Sequence, residues 1–218
     1  MKWLGQGEED RLIFDYFDRT GWPMDRAGCP GGPERFFLDV GANDGVSNSN
    51  TRRLAERGWY GVCVEPEPRA FAILSALYRD TPEVACLPVL AGPRSGLARF
   101  WVADDASVST TDLRHKERWE RQAGVSYRCT LAPEIAVDEI LAHAQAFRDY
   151  EPGSISVVSI DTEGTSDALA CLIDFRAVGT RVAIVEHGFE PERLDAHMLA
   201  CGLVLLEKNS NNTVWVRP

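Results

Sequence analysis

Nowhere does the chain run to the roughly 20 uninterrupted apolar residues that a membrane-spanning helix requires. Its opening residues, with Glu8, Glu9 and Asp10 together, lack the apolar stretch of a secretory leader. No membrane partner is expected on this reading, and a cytoplasmic location is. Basic residues are scarce beside acidic ones: 23 Lys and Arg against 33 Asp and Glu give a formal net charge of −10. Affinity for a phosphate backbone comes largely from clustered Lys and Arg, so nucleic acid is not an expected partner. The six cysteines (Cys29, Cys63, Cys86, Cys129, Cys171 and Cys201) include no Cys-x-x-Cys pair and no nearby histidine at zinc-ligand spacing, which leaves reduced, mostly buried thiols as the expectation. Internal repeats and low-complexity tracts are absent as well. At 218 residues the chain is long enough for one full-sized α/β domain and too short for two with a linker. A homo-oligomer is left open.

What is present is an alternation of short apolar runs and amphipathic stretches. Leu12, Ile13, Tyr16 and Phe17 share a helical face within residues 8–18, so a short helix lying on a sheet is expected first. Gly and Pro concentrate from Gly21 to Pro33, a loop that completes an N-terminal segment of residues 1–35. The domain proper, residues 36–218, opens with Phe36-Phe37-Leu38-Asp39-Val40, a glycine-bearing turn, a polar helix from Thr51 and a stop at Gly58. Tyr60 to Val64 is a second strand. A helix follows in which Phe71, Leu74, Leu77 and Tyr78 share a face and Pro66 and Pro68 suit the approach or first turn. Strands are expected at Val84–Leu90, Ile155–Ile160 and Val182–Val185, and helices at 137–147, 167–175 and 191–201. Leu203–Leu206 and Thr213–Val216 pair as a terminal antiparallel hairpin. Nearly continuous β-branched runs fit strands buried on both faces, so the fold class is α/β, a doubly wound, mainly parallel seven-stranded sheet. Residues 101–128 break the rhythm, being long and charged with a polar helix through His115 to Trp119, and read as a lid-like insertion or a solvated excursion.

In a doubly wound sheet, ligands collect beyond the carboxyl ends of the strands, where strand order reverses. Gly41 and Gly45 bracket the first such turn, where the lack of a side chain lets backbone bend and approach a ligand. This Gly-x-x-x-Gly spacing is not the Gly-x-Gly-x-x-Gly of dinucleotide enzymes, which disfavours a pyrophosphate and with it a nicotinamide-dependent oxidoreductase. Asp39 and Asp44 add negative charge that suits the ammonium and sulfonium of S-adenosylmethionine. Glu65, about twenty residues beyond the turn and at the end of strand two, is placed to accept both ribose hydroxyl hydrogens of an adenosine.

These residues resemble the FkbM-like methyltransferases: Phe37-Leu38-Asp39-Val40-Gly41-Ala42-Asn43-Asp44-Gly45, then Ser49-Asn50-Thr51, then Gly58 through Glu65-Pro66. Ser159-Ile160-Asp161-Thr162-Glu163-Gly164 is similar to that family's strand-four motif and Val185-Glu186-His187 to its strand-five end. The resemblance implies a class I methyltransferase fold, S-adenosylmethionine as cofactor, and methyl transfer, commonly to a hydroxyl of a sugar or natural product. It implies that Asp39, Gly41, Asn43 and Gly45 cradle the methionine part, that Glu65 binds the ribose, that Leu90 and Ala91 flank adenine, and that Ala42, Asp44 and Pro66 also belong to the cofactor site. Asn50 and Thr51 either orient the cofactor or cap the helix. Residues 1–35 and 101–128 carry only faint similarity, so the acceptor is not identified.

Asp161, Glu163, Glu186 and His187 stand at the ends of strands four and five and project toward one crevice if those strands are neighbours. His187, oriented by Glu186 or Asp161, is the expected general base, with Glu163 or Glu186 able to serve if burial raises its pKa. Alternatively Asp161, Glu163 and Glu186 hold Mg²⁺, which lowers the acceptor hydroxyl's pKa by coordination. A catalytically silent nucleoside-binding module is the remaining alternative.

Overall fold

A computed structural model describes residues 3–22, 35–147 and 155–218. The larger sheet contains β1 (Phe36–Val40), β2 (Tyr60–Val64), β3 (Val84–Leu87), β7 (Val157–Ile160), β8 (Val182–Glu186), β9 (Val204–Lys208) and β10 (Asn212–Val216). Their order across it is β3-β2-β1-β7-β8-β10-β9. Only β10 runs against its neighbours, so the sheet is parallel with an antiparallel terminal hairpin. All five residues of β1 are buried, as expected for a central strand covered on both faces. The chain leaves β1 toward β2 and later returns to β1's other side as β7, which makes the gap beyond β1 and β7 the switch point.

One face is covered by α1 (Glu9–Thr20), α2 (Arg52–Glu56) and α3 (Pro68–Leu77). Ile13 and Phe17 of α1 are fully buried in a cluster with Phe37, Trp59, Val182 and Val216, so the opening helix is part of the domain's core. The other face is covered by α5 (Val137–Ala146), α6 (Ser166–Ala170) and α7 (Pro191–Ala200), with Ile140, Leu169, Leu194 and Met198 packed on Leu38, Ile160 and Val185. The expected helix at 167–175 is shorter than its apolar pattern suggested. Leu169 and Ile173 are both buried, but α6 ends at Ala170 and Ile173 sits in the turns beyond it.

Two expectations need correction. The run Val84–Leu90 is not one strand: Pro88, which has no amide hydrogen to donate, separates β3 from β4 (Leu90–Gly92). β4 belongs to a second, three-stranded sheet of order β4-β6-β5, completed by β5 (Gly96–Ala103) and β6 (Tyr127–Ala136). Nor is 101–128 irregular. It comprises the end of β5, a 3-10 turn at Ala106–Val108, the polar helix α4 (Leu113–Ala123) and the start of β6. This sheet has its own small core of Leu90, Phe100, Val102 and Ala132. The thiols differ too. Cys63 and Cys201 are buried, Cys86 and Cys171 half-buried and Cys129 exposed, and all five are free. Cys29 and most of the Gly/Pro-rich loop, residues 23–34, lie outside the described residues. Among the described residues, no helix is long and apolar enough to cross a membrane.

Candidate active site

The turn after β1 is fixed from both neighbouring strands. The amides of Gly41 and Ala42 donate to the Val64 carbonyl at 2.9 and 3.1 Å, tying the turn to β2. On the other side β7's end crosses so closely that a Cβ on Gly41 would sit 1.7 Å from the Asp161 carbonyl oxygen, and φ at Gly41 is +83°. Asn43 follows in the left-handed region, φ +49°, a conformation Asn tolerates better than most residues. Its amide donates to Glu65 Oε2 at 2.8 Å, while Glu65 Oε1 accepts from the Glu67 amide at 2.7 Å. Glu65 is thereby aimed from the end of β2 across the turn.

Beyond these strand ends lies a cavity of about 230 Å³. Asp39, Gly41, Ala42, Asn43 and Asn50 line it from the β1 side, Glu65 and Pro66 from β2, and Leu90 and Ala91 from the start of β4. Leu90 and Ala91 thus reach the cavity as the opening of the second sheet and not as the end of strand three. Asp44, Gly45 and Thr51 do not line it. Asp44 accepts from the amides of Val46 and Ser47 at 2.8 and 2.7 Å and so shapes the loop. The missing side chain of Gly45 makes room for Leu74 and Leu77 of α3, whose methyls would lie 2.7 and 2.9 Å from a Cβ there. Thr51 stands behind the site, its hydroxyl donating to Asp39 Oδ2 at 2.6 Å, and makes no side-chain cap to α2. Asn50 donates through Nδ2 to Ser159 Oγ at 3.2 Å, and its Oδ1 is buried without a partner.

Burial raises the Asp39 carboxyl to about 6 against the hydroxyls of Thr51 and Ser159, and raises Glu65 to about 7 against the amides of Glu67 and Asn43. Between their ordinary values and these raised ones, the folded chain keeps protons that the unfolded chain has released. The two groups therefore favour folding in acid, and that advantage is lost as pH rises from about 4 to about 7. We expect the cofactor-free protein to melt at a lower temperature near pH 8 than near pH 5. Differential scanning calorimetry in matched buffers checks this, and a higher melting temperature at the alkaline end would contradict it.

A second group of acids closes the cavity. Asp161 and Glu163, just past β7, and Glu186, at the end of the adjacent β8, each bring one carboxylate oxygen to within 4.8 Å of the others'. Asp161 and Glu163 line the cavity. Glu186 accepts from the Glu163 amide at 3.0 Å and from Ser166 Oγ at 2.9 Å. Burial, reinforced by the neighbouring carboxylates, holds both Asp161 and Glu163 well above the usual carboxylate range. Such a group can share protons or hold a cation.

His187 does not join them. It follows the last residue of β8, outside the strand. Its amide donates to the Asn211 carbonyl at 2.7 Å, its ring Nε2 is buried without a partner, and it is not among the cavity-lining residues. The imidazole beside the acids is His115 of α4, whose Nε2 lies 2.9 Å from Glu163 Oε2. His115 and Trp119 sit at i,i+4 on α4; His115 is buried and Trp119 lines the cavity. That spacing was the available signal for His115, masked by the charged residues around it.

Fold and cleft together define a class I methyltransferase, with the glycine turn and Glu65 at the switch point. The chain belongs to the FkbM family of S-adenosylmethionine-dependent methyltransferases, whose methyltransferase domain matches residues 39–205. No curated protein matches it. Among solved structures, monomeric WbdD is 15% identical with a TM-score of 0.48, aligning over 96% of this chain and 41% of that one. A methyltransferase FkbM from Methylobacillus flagellatus KT is 13% identical with a TM-score of 0.49, over 84% of this chain and 43% of that one. A TehB-like methyltransferase from Corynebacterium glutamicum is 12% identical with a TM-score of 0.38, over 97% of both chains. This chain thus spans about two fifths of the length of the WbdD and FkbM chains.

Proposed function

We propose that the protein moves the methyl group of S-adenosylmethionine to a hydroxyl of a sugar or natural-product small molecule, with Glu163 receiving the hydroxyl proton. The observation that carries this reading is the meeting, in one cavity, of the glycine turn and Glu65 with a half-buried carboxylate whose pKa is raised. The cofactor fits the residues present. Glu65 offers a carboxylate for the ribose hydroxyls, Gly41 presents bare backbone, and Asp39 with the unpartnered Oδ1 of Asn50 offers acceptors for an ammonium group. Bound S-adenosylmethionine supplies an electrophilic methyl on a positively charged sulfur. The protein's own part is to align the acceptor oxygen behind that methyl and exclude water. Glu163 Oε would receive the proton that the acceptor hydroxyl must lose, its raised pKa making it a stronger base than an exposed carboxylate. Phe100 and Trp119 line the cavity from the second sheet and α4, with Ser107, Ser109 and Thr110 supplying hydroxyls from the intervening turn, a lining suited to a polyhydroxylated ring.

Isothermal calorimetry with S-adenosylmethionine, its demethylated product and NADH, followed by incubation with methyl-labelled cofactor and a panel of hydroxylated saccharides, tests the reading. Binding of the first two but not NADH, and label on an oxygen, is the expected result. Absence of S-adenosylmethionine binding would sink it, and binding without transfer to any acceptor would favour the silent nucleoside-binding module.

A second reading rests on the three convergent carboxylates: Asp161, Glu163 and Glu186 hold Mg²⁺, and coordination acidifies the acceptor hydroxyl. The two readings part on chelation. With Glu163 as base, EDTA-treated enzyme retains full activity. With a cation, activity is lost and returns on adding magnesium.

A further inference from the structure

Three polar groups of Glu163 meet neighbours, and two of those neighbours come from the segment between β5 and β6. Its amide donates to Glu186, its carbonyl accepts from Thr110 Oγ1 at 2.6 Å, and its Oε2 lies 2.9 Å from His115 Nε2. The contact with His115 is close without the alignment of a linear hydrogen bond, and that nitrogen has no other partner. His115 is only 5% exposed. Its position is itself built: Asp112 accepts the His115 amide at 3.0 Å and so starts α4 at that residue. Gly164, at φ +99°, leaves the space the imidazole occupies, since a Cβ there would fall 2.8 Å from His115 Cβ and 3.1 Å from Nδ1. Glu163 itself stands at φ +52°, an unusual conformation for a non-glycine residue and one found where surroundings impose it.

We infer that His115 is a positioning residue: its Nε2–H holds the Glu163 carboxylate toward the cavity, so the excursion between β5 and β6 completes the active site. The inference rests on Glu163 meeting the acceptor, whether as base or as cation ligand. A neutral imidazole carries one N–H and chooses its tautomer by the acceptor it meets, and an ionised Glu163 carboxylate facing it selects Nε2–H.

Two measurements test this. In the whole protein labelled with ¹⁵N-histidine, four histidines give signals and His115→Gln identifies one set. The expected wild-type spectrum has protonated Nε2 at His115. In Glu163→Asn, whose side chain suits the left-handed backbone but is too short to reach the ring, that preference is lost. An unprotonated Nε2 in wild type, or unchanged His115 signals in Glu163→Asn, would overturn the proposal. This measurement needs neither cofactor nor acceptor, so it stands or falls apart from the methyl-transfer reading. On the saccharide that wild type methylates, His115→Ala is expected to lower kcat by about tenfold, less than the roughly hundredfold expected for loss of the carboxylate itself. The Kd for S-adenosylmethionine stays unchanged, and His115→Gln or millimolar imidazole restores most of the rate. Full kcat in His115→Ala, or a loss that resides in cofactor Kd and resists imidazole, would overturn it.

Discussion

Glu163→Gln is expected to lower kcat by about a hundredfold or more while leaving the affinity for S-adenosylmethionine within a factor of two, because the variant keeps shape and polarity but cannot accept a proton. The wild-type rate should rise with pH through a value well above that of an ordinary glutamate. Burial sets that direction, and the charges of Glu186 and Asp105 reinforce it against Arg118. Asp161 and His115 also face the carboxylate, and Tyr127 senses its charge. An amide at position 163 removes the titrating group, so the acid limb should disappear along with most of the rate. Stopped assays from about pH 5 to pH 9 on the methylated saccharide would check both features. A variant that retains wild-type turnover and an unaltered pH profile would show that Glu163 does not take the proton.

Gly41→Ala is expected to be as damaging by a different route. The added methyl cannot be accommodated by a side-chain rotation, since its obstacle is the Asp161 backbone carbonyl at 1.7 Å. The φ of +83° also penalises any residue with a Cβ. Pushing β1 and β7 apart at their ends should cost roughly 2–4 kcal/mol, the sum of a left-handed penalty and an overpacking one. For a domain of this size that is a fall in Tm of about 5–15 °C. The damage falls on the two strand ends that carry Asp39 and Asp161, so cofactor affinity should drop with stability. A melting curve and a calorimetric titration on the same sample would show both, and normal values for both would contradict the close approach of these strands.

Gly41 also shows why the larger sheet was legible in the sequence. A turn between two buried parallel strands leaves few choices of residue, and the β-branched runs on either side are long enough to read as strands. The second sheet obeys the same physics with a weaker signature. β5 alternates Phe100 and Val102 inward with Arg99 and Trp101 outward, but its inner core has only a handful of residues, and the charged outer positions blur into the acidic turn that follows. Pro88 offered a further clue, since a proline inside an apparent strand argues for two elements. The placing of His187 escaped the sequence for a related reason. His187 adjoins Glu186 in sequence, yet it lies past the end of β8 with its Nε2 buried and does not line the cavity. His115, far away in sequence, arrives at Glu163 only because the β5–β6 sheet folds over the cavity, a contact that no local pattern encodes.

The second sheet leaves and rejoins the domain at nearly the same place. β4 departs just after β3, β6 pairs in parallel with β4 through Leu90–Glu134, Ala91–Ile135 and Gly92–Ala136, and α5 begins at the next residue. Everything between Gly92 and Ala136 is therefore a closed excursion whose two stems touch. In construction it is a loop tied at its base, which the seven-stranded sheet carries without any of its own strands being interrupted. The seam between this excursion and the strand ends is narrow: the Thr110 hydroxyl on the Glu163 carbonyl, His115 beside its carboxylate, and Trp119 in the cavity wall.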